Sequence, residues 1–323
     1  MKRKGNLYHK IISIENLRLA DNLAQKGKSK QYGVILHNER KESNLAVLHQ
    51  MLFSKIYHTS NYDVFKVFEP KERLVYRLPY FPDRITHHAI MNVLEPIFVA
   101  CFTKDSYSCI KKRGIHALAN NLKTALKDVP GTIYCLKLDI KKFYPSIDHS
   151  ILKNLLRKKF KDTDLLWLLD EIIDSAPGLP IGNYLSQYLA NFYLTYFDHW
   201  IKEVLKIKHY FRYADDIVIL HQDKRQLHSI LHQIKLYLSS QLRLTVKENY
   251  QVFPVATRGI DFVGYVFFHT HTLLRKRIKQ NFARMLANNP NQQSIAAYKG
   301  WAKHADTHHL LKKLIPNDPI QGP

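Results

Sequence analysis

The chain has little cysteine. Its three, Cys101, Cys109 and Cys135, are too few and too apolar in setting for a disulfide framework or a zinc site. His87-His88 and His308-His309 are adjacent pairs, and neighbours along a helix or strand do not easily chelate one metal. Long apolar runs are also missing. The longest, Ile90 to Phe102, is broken by Asn92, Glu95 and Pro96, which argues against a bilayer span. The opening Met1-Lys2-Arg3-Lys4-Gly5 has no apolar stretch of the signal-peptide kind, so a reducing cytoplasm is the expected compartment. No low-complexity linker and no fixed-period repeat is present. Acidic residues are scarce: 27 Asp and Glu stand against 49 Lys and Arg, a net charge of +22 spread along all 323 residues. Aromatics make up 12% and hydrophobic residues 46%, so the chain is a folded protein and not a basic tail. A folded, broadly basic protein points to nucleic acid, with an anionic membrane surface as the competing partner.

The patterning predicts an α+β protein. Residues 1–70 read as helical and basic, with strands from Phe65 to Leu78 turning at Pro70-Lys71-Glu72. Helical spacing fills 83–128. A strand over 133–139 precedes a helix from His149 to Phe160, and a further helix spans Asn183 to Leu205. A hairpin centred on Asp215-Asp216, a helix over 223–240, a strand Leu242–Val246 and strands near 251–254 and 260–268 follow. The last 50 or so residues read as helical and basic. This order describes a sheet of the split βαβ type backed by helices.

Tyr213-Ala214-Asp215-Asp216 carries the most chemistry. Adjacent carboxylates repel, and a turn between two short apolar strands holds them comfortably only with a cation bound. Asp139, at the end of the apolar run Ile133–Leu138, supplies a third carboxylate. Magnesium takes carboxylates and substrate phosphates as ligands, and two such ions clamp the attacking and leaving oxygens of a phosphoryl transfer.

Four segments occur in order: Leu138-Asp139-Ile140-Lys141-Lys142-Phe143-Tyr144; Leu179-Pro180-Ile181-Gly182-Asn183-Tyr184-Leu185-Ser186-Gln187; Tyr213-Ala214-Asp215-Asp216; and Phe262-Val263-Gly264-Tyr265. Together they resemble the A, B, C and E motifs of reverse transcriptases. The Ile-Gly-x-x-x-Ser-Gln form of the second is similar to the enzymes of diversity-generating retroelements. Defence-associated bacterial reverse transcriptases share much of the pattern.

The resemblance implies a right-hand polymerase: fingers over 1–130, a ferredoxin-like (split βαβ) palm over 131–265 and a helical thumb over 266–323. Asp139, the adjoining Ile140, Asp215 and Asp216 become the expected site of two Mg2+ ions, with Mn2+ as a substitute. Asp139 and Asp215 are expected to meet across adjacent strands. Asp216 is expected on the opposite face, since side chains alternate along a strand. Lys247, after the strand Leu242–Val246, is placed to protonate the departing pyrophosphate. Lys71 and Arg73 would reach the triphosphate. Tyr144, or alternatively Phe143, would lie under the incoming sugar and reject a 2′-hydroxyl. Gly182 would let backbone approach template or nucleotide, and Ser186 and Gln187 open the second motif's helix, with Gln187 placed to bond a base or sugar edge. An ordinary helix cap by Asn183 or Ser186 is the plain alternative. Arg84 would fix the template or pair with Asp83. Arg113, Gly264 and Tyr265 would touch nucleic acid, and Arg275, Lys276 and Arg277 would track duplex phosphates from a thumb helix. Template RNA, an RNA–cDNA duplex and dNTPs are the implied partners, with a small basic accessory protein in the diversity-generating case. The residues after Tyr265 leave room for a thumb alone, so no RNase H, endonuclease or integrase domain is expected. A non-catalytic RNA-binding protein is the reading from another class. The sequence leaves the oligomeric state open.

Overall fold

A computed structural model describes residues 3–68, 72–288 and 290–315. Helices α1 (Tyr8–Ile12), α2 (Ile14–Gln25), α3 (Tyr32–Glu39) and α4 (Lys41–Phe53) lead into strands β1 (Asp63–Phe68) and β2 (Glu72–Arg77). Then come α5 (Ile85–Val99), α6 (Ile115–Leu126), β3 (Tyr134–Asp139), α7 (His149–Lys159) and α8 (Thr163–Asp174). The chain continues through α9 (Tyr184–Tyr193), α10 (Thr195–His199), β4 (His209–Tyr213), β5 (Asp216–His221), α11 (Lys224–Leu242) and β6 (Gln251–Pro254). It ends with α12 (Val255–Arg258), β7 (Ile260–Phe262), β8 (Tyr265–Phe267), β9 (Thr272–Leu274), α13 (Lys276–Asn288), α14 (Gln292–Ala302) and α15 (His308–Leu314).

These elements form two compact units. The first comprises Met1–Thr103, Ile140–Trp200 and Leu236–Thr245; the second comprises Lys104–Asp139, Ile201–Lys235 and Val246–Pro323. In the first unit, three helix starts carry side-chain caps. Ser13 caps α2 at 3.3 Å and Asp148 caps α7 at 3.0 Å. Asp162 serves two helices: Oδ1 accepts from Leu165 N–H at 3.2 Å to cap α8, and Oδ2 accepts from Leu7 and Tyr8 N–H at 2.6 and 3.0 Å. The fingers-type hairpin pairs Asp63 with Arg77 and Phe68 with Glu72. Its tip, including Lys71, lies outside the described residues.

The second unit is built on a four-stranded antiparallel sheet in the order β4-β5-β3-β6. Renumbered in chain order within the sheet, this is the ferredoxin-like plan. One face carries Cys135, Phe211, Val218 and Leu220 into a core shared with Leu118, Leu122, Phe262, Tyr265 and Phe267. A second sheet, β7-β8-β9, contributes the last three of these.

Four expected elements differ. The helical spacing read over 83–128 is interrupted, since no helix forms between Val99, which ends α5, and Ile115, which opens α6. The helix expected over 183–205 is broken, because Leu194 (φ −90°, ψ 0°) ends α9 before α10 begins. No strand forms over 242–246: α11 runs to Leu242, Arg243 turns with φ +49°, and Leu244 N–H bonds back to Leu238. Lys247 therefore follows a loop. Of Arg275, Lys276 and Arg277, expected together on a thumb helix, Arg275 lies before it, since β9 ends at Leu274 and α13 begins at Lys276.

Candidate active site

Two neighbouring strands of the second unit bring the acids together. Asp139 ends β3 and Asp216 opens β5, and the antiparallel register sets them directly opposite each other. Directly opposite residues share a face of the sheet. This corrects the expectation that Asp216 points away. It is Asp215 that lies off the ladder, in the two-residue turn Ala214-Asp215 joining Tyr213 to Asp216. Ala214 adopts φ +55°, as a tight hairpin turn requires. Fully buried Arg212 holds this turn: its guanidinium donates to the Ala214 carbonyl at 3.0 Å and to Ser106 Oγ at 3.1 Å.

The electrostatics are those of crowded, buried carboxylates. Burial first, then the charges of Asp139 and Asp216, pushes the Asp215 carboxyl up. Burial and Asp139 raise Asp216, while Lys137, Lys247 and Arg275 pull it back. Lys247 Nζ is ion-paired with Asp139 Oδ2, and Lys247 N–H donates to the Asp139 carbonyl at 2.8 Å. Asp139 Oδ1 is buried with no hydrogen-bond partner. A divalent cation suits that orphaned oxygen and the crowded carboxylates. Among the described residues no group of three or more His, Cys, Asp or Glu is gathered as a finished metal cage, and Lys247 supplies the positive charge at Asp139. Ile140 is fully buried, so only its backbone is on offer.

In the first unit, the second motif is pinned to the hairpin. Tyr76 N–H donates to the Ile181 carbonyl at 2.8 Å. Gly182 has φ +123°, and a Cβ there would sit 2.5 Å from the Tyr76 carbonyl oxygen. The close approach that demands glycine is thus to β2. Asn183 precedes α9 but does not cap it; its amide donates to Tyr62 Oη at 2.9 Å. Ser186 is buried and Gln187 is exposed. Phe143 is buried and Tyr144 half-buried, so only the tyrosine has surface to offer a ligand. Arg73, on β2, is exposed. Arg84 does not pair with Asp83, whose Oδ1 is taken by Tyr57 Oη at 2.8 Å and Ser60 N–H at 3.1 Å.

The remaining expected contacts belong to the second unit. Tyr265 is fully buried, its hydroxyl donating to the Trp301 carbonyl at 3.1 Å, so its ring is a core element. Gly264 (φ +92°) has the Trp301 ring packed where a Cβ would stand. Arg275 Nε donates to Asp261 Oδ1 at 2.6 Å, while Lys276 and Arg277 are exposed. Arg113 is half-buried, with a bridge to Ile110. Arg212 was not among the residues expected from sequence. A charged residue inside an apolar strand was the available signal.

A split βαβ sheet with aspartates at the adjoining ends of its two central strands defines the palm of a nucleotide polymerase. The family model described as reverse transcriptase (RNA-dependent DNA polymerase) matches residues 69–267. The chain belongs to that family. Curated relatives include Protein YkfC of Escherichia coli (strain K12), 23% identical over 262 residues covering 67% of each chain. Group II intron-encoded protein LtrA of Lactococcus lactis subsp. cremoris is 22% identical over 261 residues, 58% of this chain and 43% of LtrA. The chain thus spans less than half of LtrA. Among solved structures, apo telomerase from Candida tropicalis matches with a TM-score of 0.53 at 12% identity, covering 69% of this chain and 49% of that one. Candida albicans telomerase in complex with a fragment of telomeric RNA gives 0.52 at 12% identity, covering 83% and 58%. These likenesses establish the fingers–palm–thumb fold. No described helix is long and apolar enough to cross a membrane.

Proposed function

We propose that this protein copies an RNA template into DNA, and that its product is an error-rich cDNA of a retroelement transcript. The observation that carries the polymerase reading is the carboxylate cluster, with Asp139 Oδ1 buried and unpartnered beside two further acids. Asp139, the Ile140 backbone, Asp215 and Asp216 are the residues that would hold Mg2+ or Mn2+. Two such ions, when bound, activate a primer 3′-hydroxyl and neutralise the triphosphate. Arg212 fixes the turn that presents Asp215. Lys247 keeps a mobile positive charge at the cluster and gives its proton to the departing pyrophosphate. Tyr144 guards the sugar, and Lys71 and Arg73 steer the triphosphate. Gly264, Lys276 and Arg277 serve the primer–template duplex through backbone and charge. Fingers, palm and thumb correspond to 1–130, 131–265 and 266–323, working in a reducing cytoplasm.

Diversification of a target gene is supported by the form of Ile181-Gly182-x-x-x-Ser186-Gln187. The apolar, χ1-restricted Ile181 offers no hydrogen bond to a nascent pair, which loosens control of its geometry. A small basic accessory protein is the matching partner. A second reading is favoured by the relatives: LtrA is an intron-encoded protein, and a structured intron RNA would then be the template. A defence-associated enzyme copying its own non-coding RNA differs again in template. The test is extension of a DNA primer on a defined RNA with Mg2+, followed by sequencing of the product. DNA synthesis with substitutions concentrated at template adenines is expected. No synthesis overturns the polymerase reading; even errors over all four bases overturn the diversifying one. Sequencing the RNA that co-purifies with the protein separates the intron and defence templates.

A further inference from the structure

Tyr144 is half-buried and opens a single helical turn, Tyr144–Ser146. So short a turn has little rigidity of its own. A side chain that discriminates by collision has to stand still, because a misplacement of about 1 Å is enough to undo such control. Phe143 supports the tyrosine ring: it is buried and packs edge-on, with centroids 5.6 Å apart. The backbone is held by the segment between α8 and α9. Leu179 N–H donates to the Tyr144 carbonyl at 2.9 Å. Gly178 packs so closely that a Cβ there would stand 2.5 Å from the same carbonyl oxygen, and its φ of +62° suits glycine.

Gly178 is held in turn by one side chain. His149, the first residue of α7, donates from Nε2 to the Gly178 carbonyl at 2.8 Å and from Nδ1 to Asp174 Oδ1 at 3.2 Å. Both partners are acceptors, so each ring nitrogen serves as a donor and the ring is fixed at two points. Asp174 closes α8, and its other oxygen is ion-paired with Lys153, one turn along α7. These connections close a circuit within the first unit. The chain runs from Tyr144 through its turn to His149, the His149 ring reaches Gly178, and Leu179 returns to Tyr144. The start of α7 has no need of the imidazole, since Asp148 already caps it through the Ile151 N–H at 3.0 Å.

We propose that His149 is a positioning residue for sugar discrimination: by tying Gly178 to α7 it fixes the Tyr144 backbone and therefore the place of the tyrosine ring. Asp174, steadied by Lys153, orients the imidazole for that bond. The inference rests on the sugar-guarding reading of Tyr144 and adds the group that keeps the guard in place.

The experiment is primer extension by the full chain on an RNA template, read as the ratio of kcat/KM for one rNTP to that for the matching dNTP. His149→Ala is expected to raise this ratio about tenfold or more, the low end of what a shape-selecting pocket discriminates. The rise should come from the rNTP value; a loss shared by both nucleotides, as general unfolding would give, overturns the proposal. Two isosteric variants isolate the bond. His149→Gln presents an amide nitrogen in place of Nε2 and should keep the ratio within about twofold, whereas His149→Asn presents one in place of Nδ1 and should behave like alanine. An unchanged ratio in His149→Ala and His149→Asn, or an equal rise in His149→Gln, overturns the proposal. His58 makes a similar surface pair with Glu171 at 3.1 Å, and His58→Ala should leave the ratio alone. Should His149→Ala fail to fold, Asp174→Asn carries the test. It removes only the orienting pair, at a carboxylate 55% exposed, and should raise the ratio about threefold, the scale of one surface ion pair; no change overturns the proposal. Tyr144→Ala in the same assay tells the two failures apart. If Tyr144→Ala raises the ratio and His149→Ala does not, the positioning role alone falls; if neither raises it, the sugar-guarding reading falls and takes this role with it. In the double variant His149→Ala should add nothing to Tyr144→Ala, because it acts only through that ring, and additive effects overturn the proposal.

Discussion

The aspartates of the second unit and the lysine–arginine cluster of the first are concentrations of like charge, opposite in sign and built by different means. Asp139 and Asp216 are fixed by a strand register, and Asp215 by a turn that buried Arg212 holds. Lys26 and Lys28 lie on an exposed segment between α2 and α3, and only His88, Arg84 and Tyr184 nearby belong to packed helical segments. The acids cannot relax away from one another, whereas the lysines can swing. A rigid cluster suits small ions, whose ligands tolerate little displacement. A pliant one suits a polymer whose phosphates arrive in many positions.

Asp215→Asn tests the rigid side most severely. DNA synthesis should fall by about a thousandfold or more, because the ions that offset the developing negative charge lose a charged ligand. RNA affinity should stay within twofold in a filter-binding assay. Chelation with EDTA should reproduce the loss, and activity surviving either treatment would break the contrast.

Next in size is a matched pair of charge removals. Arg212→Met should cost about 2–4 kcal/mol in urea denaturation, since the Ala214 carbonyl and Ser106 hydroxyl lose their buried donor. Lys28→Met should change stability by no more than about 0.5 kcal/mol, as for most surface replacements. Comparable costs would mean that the two clusters are equally rigid.

The neighbouring aromatics separate in the same way. Phe143→Ala should lower stability by about 3 kcal/mol through the cavity it leaves. Tyr144→Ala should leave stability nearly intact and admit rNTPs, read as the ratio of rNTP to dNTP incorporation. An unchanged ratio sinks the sugar-guarding role.

Smallest are the glycines. Gly182→Ala should cost about 2 kcal/mol, because a positive φ and the Tyr76 carbonyl both oppose a Cβ. Gly300→Ala, in α14 with nothing within 4 Å of the new methyl, should stabilise by about 0.5–1 kcal/mol. Thermal melts of the two variants check the sign difference.

The sequence made β3 and the β4–β5 hairpin readable because their apolar alternation and acids are local signals. Strand 134–139, the Asp215–Asp216 hairpin and the helix ending near Lys159 all stand where periodicity placed them. Helix α8 went unread although Asp162 and the spacing of Leu165, Leu168, Leu169, Ile172 and Ile173 announce it. The segment 242–246 misled, because Leu244 and Val246 alternate inward like a strand while pairing as a loop. The side on which Asp216 lies depends on register with β3, more than 75 residues earlier, and alternation along one strand cannot supply it. Tyr265 read as a surface contact because a motif does not disclose burial; Trp301 and the surrounding core decide it. Lys26 and Lys28 carried no motif, and only folding sets them beside His88.

The division of the chain bears on how it is made. The first unit collects its last segment at Leu236–Thr245, and the second begins at Lys104 yet needs residues after Val246. Leu7 meets Asp162 across 155 positions, and Asp139 meets Lys247 across 108. During synthesis, Leu7 must wait for half the chain to emerge before its amide finds a partner. The opening strand of the four-stranded sheet, β3, must wait for β4 and β5 as well. Long-range closure slows folding and prolongs exposure of unpaired strand edges. A nascent chain cut after residue 130 holds neither the helices that complete one unit nor the acids that define the other. Assembly of this enzyme is therefore a late event on the ribosome, and early truncations should yield aggregates in place of working halves.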